Sequence, residues 1–201
     1  MDVLDAIRGG GCALIATDTV YGLAALPGSP GFEQIFTLKQ RPSQQVLPWL
    51  VGSVDMMQKC AANLPDSALY LADAFWPGGL TLVVAASPYA QSFGCVASNG
   101  TVALRMPDEP FALELLHSLN MPLACTSANI HGLPAYSRLE QLEPSMLALP
   151  HDPDIATTCA GGVSSTIVDC TGKGDVTVLR QGAVTEQELA SCLTAHALCL
   201  R

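Results

Sequence analysis

The chain is poor in charge, and cations are scarcer still. Of 201 residues only 13% are charged, with nine Lys and Arg against eighteen Asp and Glu, a formal net charge of −9. A broad, sequence-independent nucleic-acid surface needs clustered Lys and Arg, which this chain lacks. Aromatic residues are also few, at 5%. No apolar run reaches the ~18 residues of a membrane span, and Met1-Asp2-Val3-Leu4-Asp5 has no basic stretch leading into an apolar core. These absences predict a soluble, cytoplasmic protein.

Zinc-type spacing is missing too. The eight cysteines, at 12, 60, 95, 125, 159, 170, 192 and 199, form no Cys-x-x-Cys pair, and no histidine neighbours them at ligand spacing. Most stand in apolar surroundings such as Leu123-Ala124-Cys125, so they read as small core residues in a reducing compartment. Neither a G-x-x-x-x-G-K-[ST] loop nor a G-x-G-x-x-G fingerprint occurs, and Gly9-Gly10-Gly11 precedes a strand, the wrong order for both. The histidines at 117, 131, 151 and 196 are not placed as an obvious general base.

What remains is a 49% hydrophobic chain whose apolar runs are short and punctuated, long enough to bury a substantial core. Periodicity predicts helices over residues 2–8, from Ser29-Pro30 to Lys39, 53–62, 65–75, 110–119 and 185–198. The last is opened by a Thr185/Glu188 capping box, and a second box, Ser137/Glu140, predicts a short helix. Strands are predicted over 12–16, 46–51, 80–86, 101–105, 122–126, 155–159, 165–170 and 176–180. Residues 89–100 read as irregular, and 17–23 as a hydroxyl-rich turn. No repeat or linker divides the chain, so residues 1–201 are expected to form a single α/β domain with an open, twisted sheet of parallel and antiparallel strands.

Because cations are scarce, their positions are informative. Lys39, Arg41, Arg105 and Arg180 fall at the ends of predicted strands or of the helix just before one, near Thr17, Thr19, Ser127, Asn129 and Ser165. Ligands of open α/β sheets bind where strands run out into loops, so this placement predicts one concave site rich in donors for phosphate or carboxylate. The competing reading is local: hydroxyls capping a turn, and Lys39 and Arg41 as a solvated helix end complementing its dipole.

Seven short segments occur in a fixed order: Thr17-Asp18-Thr19-Val20-Tyr21-Gly22-Leu23, Lys39-Gln40-Arg41-Pro42, Pro77-Gly78-Gly79-Leu80-Thr81, Arg105-Met106-Pro107, Ser127-Ala128-Asn129, Ser165-Thr166-Ile167-Val168-Asp169 and Leu179-Arg180-Gln181-Gly182. Together they resemble the signature of the YrdC family. The resemblance implies a large concave pocket and threonylcarbamoyl-AMP synthase activity, a nucleotidyltransferase joining L-threonine, bicarbonate or carbon dioxide, and ATP with magnesium, and releasing pyrophosphate. Its product feeds threonylcarbamoyladenosine formation in tRNA, so downstream tRNA-modifying proteins are implied partners, with no membrane and little direct tRNA binding.

The family pattern also implies roles. Lys39 and Arg41 are implied as catalytic charge neutralisers, and Lys39, Arg41, Ser127, Asn129 and Arg180 as the nucleotide side. Thr17, Thr19, Tyr21, Arg105 and Ser165 are implied as the threonine side, with no protein-bound metal. The chain resembles the short form that lacks an extra C-terminal domain. It departs from the pattern at Ala16, at Gly79, at Val46-Leu47 and Leu50 where a histidine commonly follows, and at His131. Those departures keep open a paralogue acting on another amino acid, beside a non-catalytic double-stranded RNA-binding module and a carbamoyl-transfer component.

Overall fold

A computed structural model describes residues 2–42, 45–152, 154–155, 161–172, 175–196 and 198–200. Nine strands form one mixed sheet: β1 (Ala13–Ile15), β2 (Gly22–Ala25), β3 (Trp49–Leu50), β4 (Leu80–Ala85), β5 (Thr101–Arg105), β6 (Leu123–Ser127), β7 (Thr166–Asp169), β8 (Asp175–Arg180) and β9 (Cys199–Leu200). Their spatial order is β1-β2-β6-β3-β5-β4-β7-β8-β9. Pairs β3/β5, β4/β7 and β8/β9 are parallel, and the others are antiparallel.

The helices are α1 (Val3–Arg8), α2 (Pro30–Lys39), α3 (Val54–Cys60), α4 (Asp66–Phe75), α5 (Pro88–Gln91), α6 (Pro110–Leu119), α7 (Pro144–Leu147) and α8 (Glu186–Ala195), with a 3-10 turn at Leu139–Gln141. Helix α2 starts as its sequence dictates: the Ser29 hydroxyl accepts from the Phe32 N–H, Pro30 occupies the first turn, and Phe32, Ile35 and Phe36 are buried. Its end, Lys39, is buried as well. The Thr185/Glu188 capping box is formed on α8.

The two faces of the sheet are treated differently. On one, Trp49, Leu82, Leu104, Ala124, Val168 and Val176 pack against Phe32 and Ile35 of α2, Met57 of α3, Leu71 of α4 and Leu189 of α8. On the other, α1 and α6 cover only part, laying Val3, Ile7, Ala112, Leu115 and Leu116 on Ala13, Ile15, Ala24, Leu50, Leu123 and Cys125. The alternation along the central strands records this. In β5, Val102 and Leu104 are buried while Ala103 is half-buried, and in β7, Val168 is buried while Ile167 is half-buried. Period-two side chains put each alternate set on one face. The half-buried set floors the cavity described below.

Several elements differ from the sequence reading. The turn after β1 ends at Tyr21, and β2 begins at Gly22 where the turn is expected to continue. The strand expected over 46–51 contracts to Trp49–Leu50, since Pro48 cannot donate to a ladder. Residues 89–100 are not wholly irregular, because Ser87 caps α5 by accepting from Ala90 N–H. The Ser137/Glu140 box does not form; the Gln141 side chain instead accepts from the Arg138 N–H, and the turn is 3-10. The final helix stops at Ala195, and β9 pairs with β8. Of the strand expected over 155–159, residues 156–159 lie outside the described residues, and Ile155 is not in a strand.

Candidate functional site

The open half-face lines a cavity of about 310 Å³. Its first wall is the turn between β1 and β2. There the Thr17 hydroxyl donates to Val20 O (2.6 Å) and accepts from the backbone N–H of Thr19 and of Val20 (each 3.2 Å), a side-chain turn that fixes the loop without regular structure. Gly22 follows because a Cβ there would lie 2.6 Å from Cys125 Sγ in the cavity floor.

Arg105, the last residue of β5, locks this wall. Its Nε donates to Gly78 O (2.9 Å), Nη1 to Thr19 Oγ1 (2.9 Å) and Nη2 to Asp18 Oδ1 (2.6 Å). One guanidinium thereby joins the 17–21 turn, the 77–79 turn and the strand end. Fork geometry suits Arg to this task and would not suit Lys.

The facing wall comes from β7, β8 and the turns beside them. Arg180 donates Nη2 to Ser165 O (2.7 Å) and Oγ (3.2 Å), and Nε to Ser165 O (3.2 Å). The turn carrying it is pinned by buried Thr166, whose hydroxyl donates to Val184 O (2.6 Å) and accepts from Gly182 N–H (2.9 Å) and Val184 N–H (3.0 Å). Position 182 must be glycine, since a Cβ would sit 2.2 Å from Ser164 O. Burial, then the neighbouring Arg105 charge, lowers the Arg180 pKa from its ordinary value. Two guanidinia close enough to repel mark a place that gains from an anion.

A third guanidinium lines the same cavity. Arg41 donates Nη2 to Val46 O (2.9 Å) and Nη1 to Thr126 Oγ1 (3.4 Å), while its buried Nε has no partner among the described residues. Burial lowers its pKa. Arg41 and Ser127 thus line the same cavity as Thr19, Arg105, Ser165 and Arg180, together with the apolar Val83, Ala103 and Ile167.

Of the residues singled out in the sequence, Thr17, Thr19, Tyr21, Arg41, Arg105, Ser127, Ser165 and Arg180 line this one cavity. Lys39 and Asn129 stand behind it. The Lys39 ammonium, 2% exposed, donates to Ser127 O, Asn129 O (2.8 Å) and Asn129 Oδ1 (3.0 Å), which uses all three of its protons. The Asn129 amide in turn donates to Ile130 O (3.0 Å) and Leu133 O (2.6 Å). Lys39 is therefore no solvated helix end; it braces the loop that presents Ser127. Burial, then the nearby Arg41 charge, pulls its pKa down from 10.5 to about 8.

Sequence reasoning missed Asp18, the partner of Arg105, and the lining residues Thr81, Thr126 and Ser164. Thr81 and Asp18 lie inside segments already singled out, so proximity to a motif is the signal that pointed to them. Among the described lining residues there is no histidine and no carboxylate, and no cluster of three or more His, Cys, Asp or Glu that could hold a metal exists among the described residues. Such a cavity can act on anions by positioning and charge, and offers no general base of its own.

Fold and cavity define an α/β protein whose partly covered mixed sheet carries, at its strand ends, a cavity lined by cations and hydroxyls. The Sua5/YciO/YrdC family model, described as telomere recombination, matches residues 5–182, and the chain belongs to that family. A Mycobacterium tuberculosis relative, to which the name threonylcarbamoyl-AMP synthase is provisionally given, is 36% identical across all of this chain and 91% of its own length. The threonylcarbamoyl-AMP synthase of Bacillus subtilis is 34% identical over 88% of this chain, but the match spans only 51% of that protein. The crystal structure of Pyrococcus abyssi Sua5 complexed with L-threonine superposes with a TM-score of 0.85 at 30% identity, covering 98% of this chain and 57% of that one. Escherichia coli YciO, at 20% identity and a TM-score of 0.73, shares the fold. No described helix is long and apolar enough to cross a membrane.

Proposed function

We propose that this chain is a threonylcarbamoyl-AMP synthase acting in the cytoplasm, condensing L-threonine, bicarbonate-derived carbon dioxide and ATP with release of pyrophosphate. The observation that carries this reading is one cavity lined by three guanidinia, Arg41, Arg105 and Arg180, and by apolar Val83, Ala103 and Ile167. It suits an amino-acid carboxylate at Arg105 and Ser165 and phosphates at Arg41 and Arg180, with the reacting atoms between them. Family membership supplies the identity of the ligands.

In this reaction the threonine amine adds to carbon dioxide and loses a proton. A carbamate oxygen then attacks the α-phosphorus of ATP, the bond to the bridging oxygen breaks, and pyrophosphate leaves with the electron pair. Anion attacks anion, so acceleration comes from charge neutralisation and orientation. Arg41, with its fork geometry and an Nε that has no partner among the described residues, is a group suited to the phosphates. Lys39 contributes by holding Ser127 and Asn129. Magnesium would arrive with ATP and help neutralise the phosphate charge, the described lining residues including no carboxylate to hold it. The product passes to tRNA-modifying proteins, and with a net charge of −9 the chain is suited to receive small anions at one site and not to bind tRNA along its surface.

Val46, Pro48 and Leu50 bring an apolar wall to the side where the chain departs from the family pattern, which favours as a second reading the same chemistry on another amino acid. Pyrophosphate release measured with ATP and bicarbonate across a panel of amino acids separates the two. Threonine is expected to support the fastest release. Equal release with serine, or with no amino acid, would overturn the assignment.

A further inference from the structure

Thr81 belongs to none of the ligand sets assigned above, yet it is 1% exposed and its hydroxyl reaches the cavity wall. It stands on β4 in parallel register with Ile167 of β7, and Ser165, two residues before Ile167, presents its side chain on the same face. The two hydroxyls are 2.8 Å apart. Ser165 Oγ also accepts from Arg180 Nη2 at 3.2 Å.

The directions of these bonds are constrained. Thr81 Oγ1 has no hydrogen-bond partner among the described residues except Ser165 Oγ, so a buried Thr81 proton is satisfied only by donation to Ser165. Ser165 Oγ then accepts twice, from Thr81 and from Arg180, and both its lone pairs are used. Its own proton is left for the cavity. We infer that Thr81 is a positioning residue that makes Ser165 an obligate hydrogen-bond donor, so that Ser165 presents its proton to an anionic oxygen of the substrate, the amino-acid carboxylate. Without the Thr81 proton, Ser165 is free to turn and to accept, and the preference for an anion here weakens.

The inference rests on the proposed function, and its test separates the two. Thr81→Val keeps the shape and removes the hydroxyl; Thr81→Ser keeps the hydroxyl. With pyrophosphate release as the assay, Thr81→Val is expected to raise KM for threonine about ten-fold, the worth of one hydrogen bond to a charged group, and to leave KM for ATP within two-fold. Thr81→Ser is expected to restore most of the loss, and adding Ser165→Ala to Thr81→Val is expected to cost less than the two single changes combined. An unchanged threonine KM in folded Thr81→Val, with a threonine-dependent wild type, would overturn the role of Thr81 alone. So would equal rises in both KM values, or failure of Thr81→Ser to restore. A wild type with no threonine dependence would overturn the substrate reading and this role with it.

Discussion

Removing the Arg105 guanidinium is the perturbation whose cost follows most directly from the geometry. Arg105→Met preserves much of the side chain's apolar volume but deletes three donors, to Gly78 O, Thr19 Oγ1 and Asp18 Oδ1, in a pair whose side chains are only 8% and 15% exposed. The Asp18 carboxylate is then left without its partner. Breaking a buried pair by removing one member costs about 3–5 kcal/mol, much of it the stranded charge. For a chain of this size that is a fall in Tm of roughly 6–20 °C. Adding Asp18→Asn to Arg105→Met removes the stranded charge and is expected to recover about half or more of the loss, a coupling that unrelated sites would not show. Calorimetric unfolding of the wild type, both single variants and the double variant closes the cycle. A loss below about 1 kcal/mol in Arg105→Met, or a double variant no better than the single, would refute the reading of Arg105 as the lock on the 17–21 turn.

Lys39 predicts a pH dependence. Its folded pKa of about 8 lies below the ordinary 10.5, so between those values the unfolded chain binds the proton and the folded chain does not. Stability contributed by this group therefore rises with pH across that window, by about 3 kcal/mol at most, while activity falls because a neutral amine has two protons for three acceptors. Lys39→Arg, which does not titrate there, is expected to lose this part of the stability slope in urea unfolding; an unchanged slope would contradict it. Arg41→Lys keeps the charge but not the fork that reaches Val46 O and Thr126 Oγ1, and is expected to lower kcat ten-fold or more in folded protein; near-wild-type turnover would make Arg41 a strut. EDTA is expected to abolish turnover and leave the Tm of the ligand-free protein unchanged; a large fall in Tm would reveal a structural metal.

Much of the fold is legible because local chemistry and burial agree. Thr101–Arg105 alternates and is a strand with those limits, Pro110–Leu119 is a helix with those limits, and Ser29-Pro30 and Thr185/Glu188 start helices as caps should. β2 is not legible, since Gly-Leu-Ala-Ala has no β-branched residue and owes its strand to the flanking β1 and β6. The scarcity of cations points to Arg41, Arg105 and Arg180 at one cavity. It does not separate Lys39 from them, because a Lys-x-Arg spacing says nothing of which side chain turns inward, and here the ammonium is consumed by Ser127 and Asn129. Nor does sequence join Asp18 to Arg105 or Thr81 to Ser165. Each pair is separated by more than eighty residues and is brought together only by strand order.

A carbamate of threonine, and not threonine itself, is expected to be adenylylated in this cavity. The protein incubated with MgATP, L-threonine and ¹³C-bicarbonate, with products resolved by mass spectrometry, tests it in one measurement. The expected product is an adenylate heavier than threonyl-AMP by one ¹³CO2, with the label in its carbamoyl carbon, formed together with pyrophosphate. An unlabelled threonyl adenylate, or AMP and pyrophosphate with no adenylate of the amino acid, would contradict it.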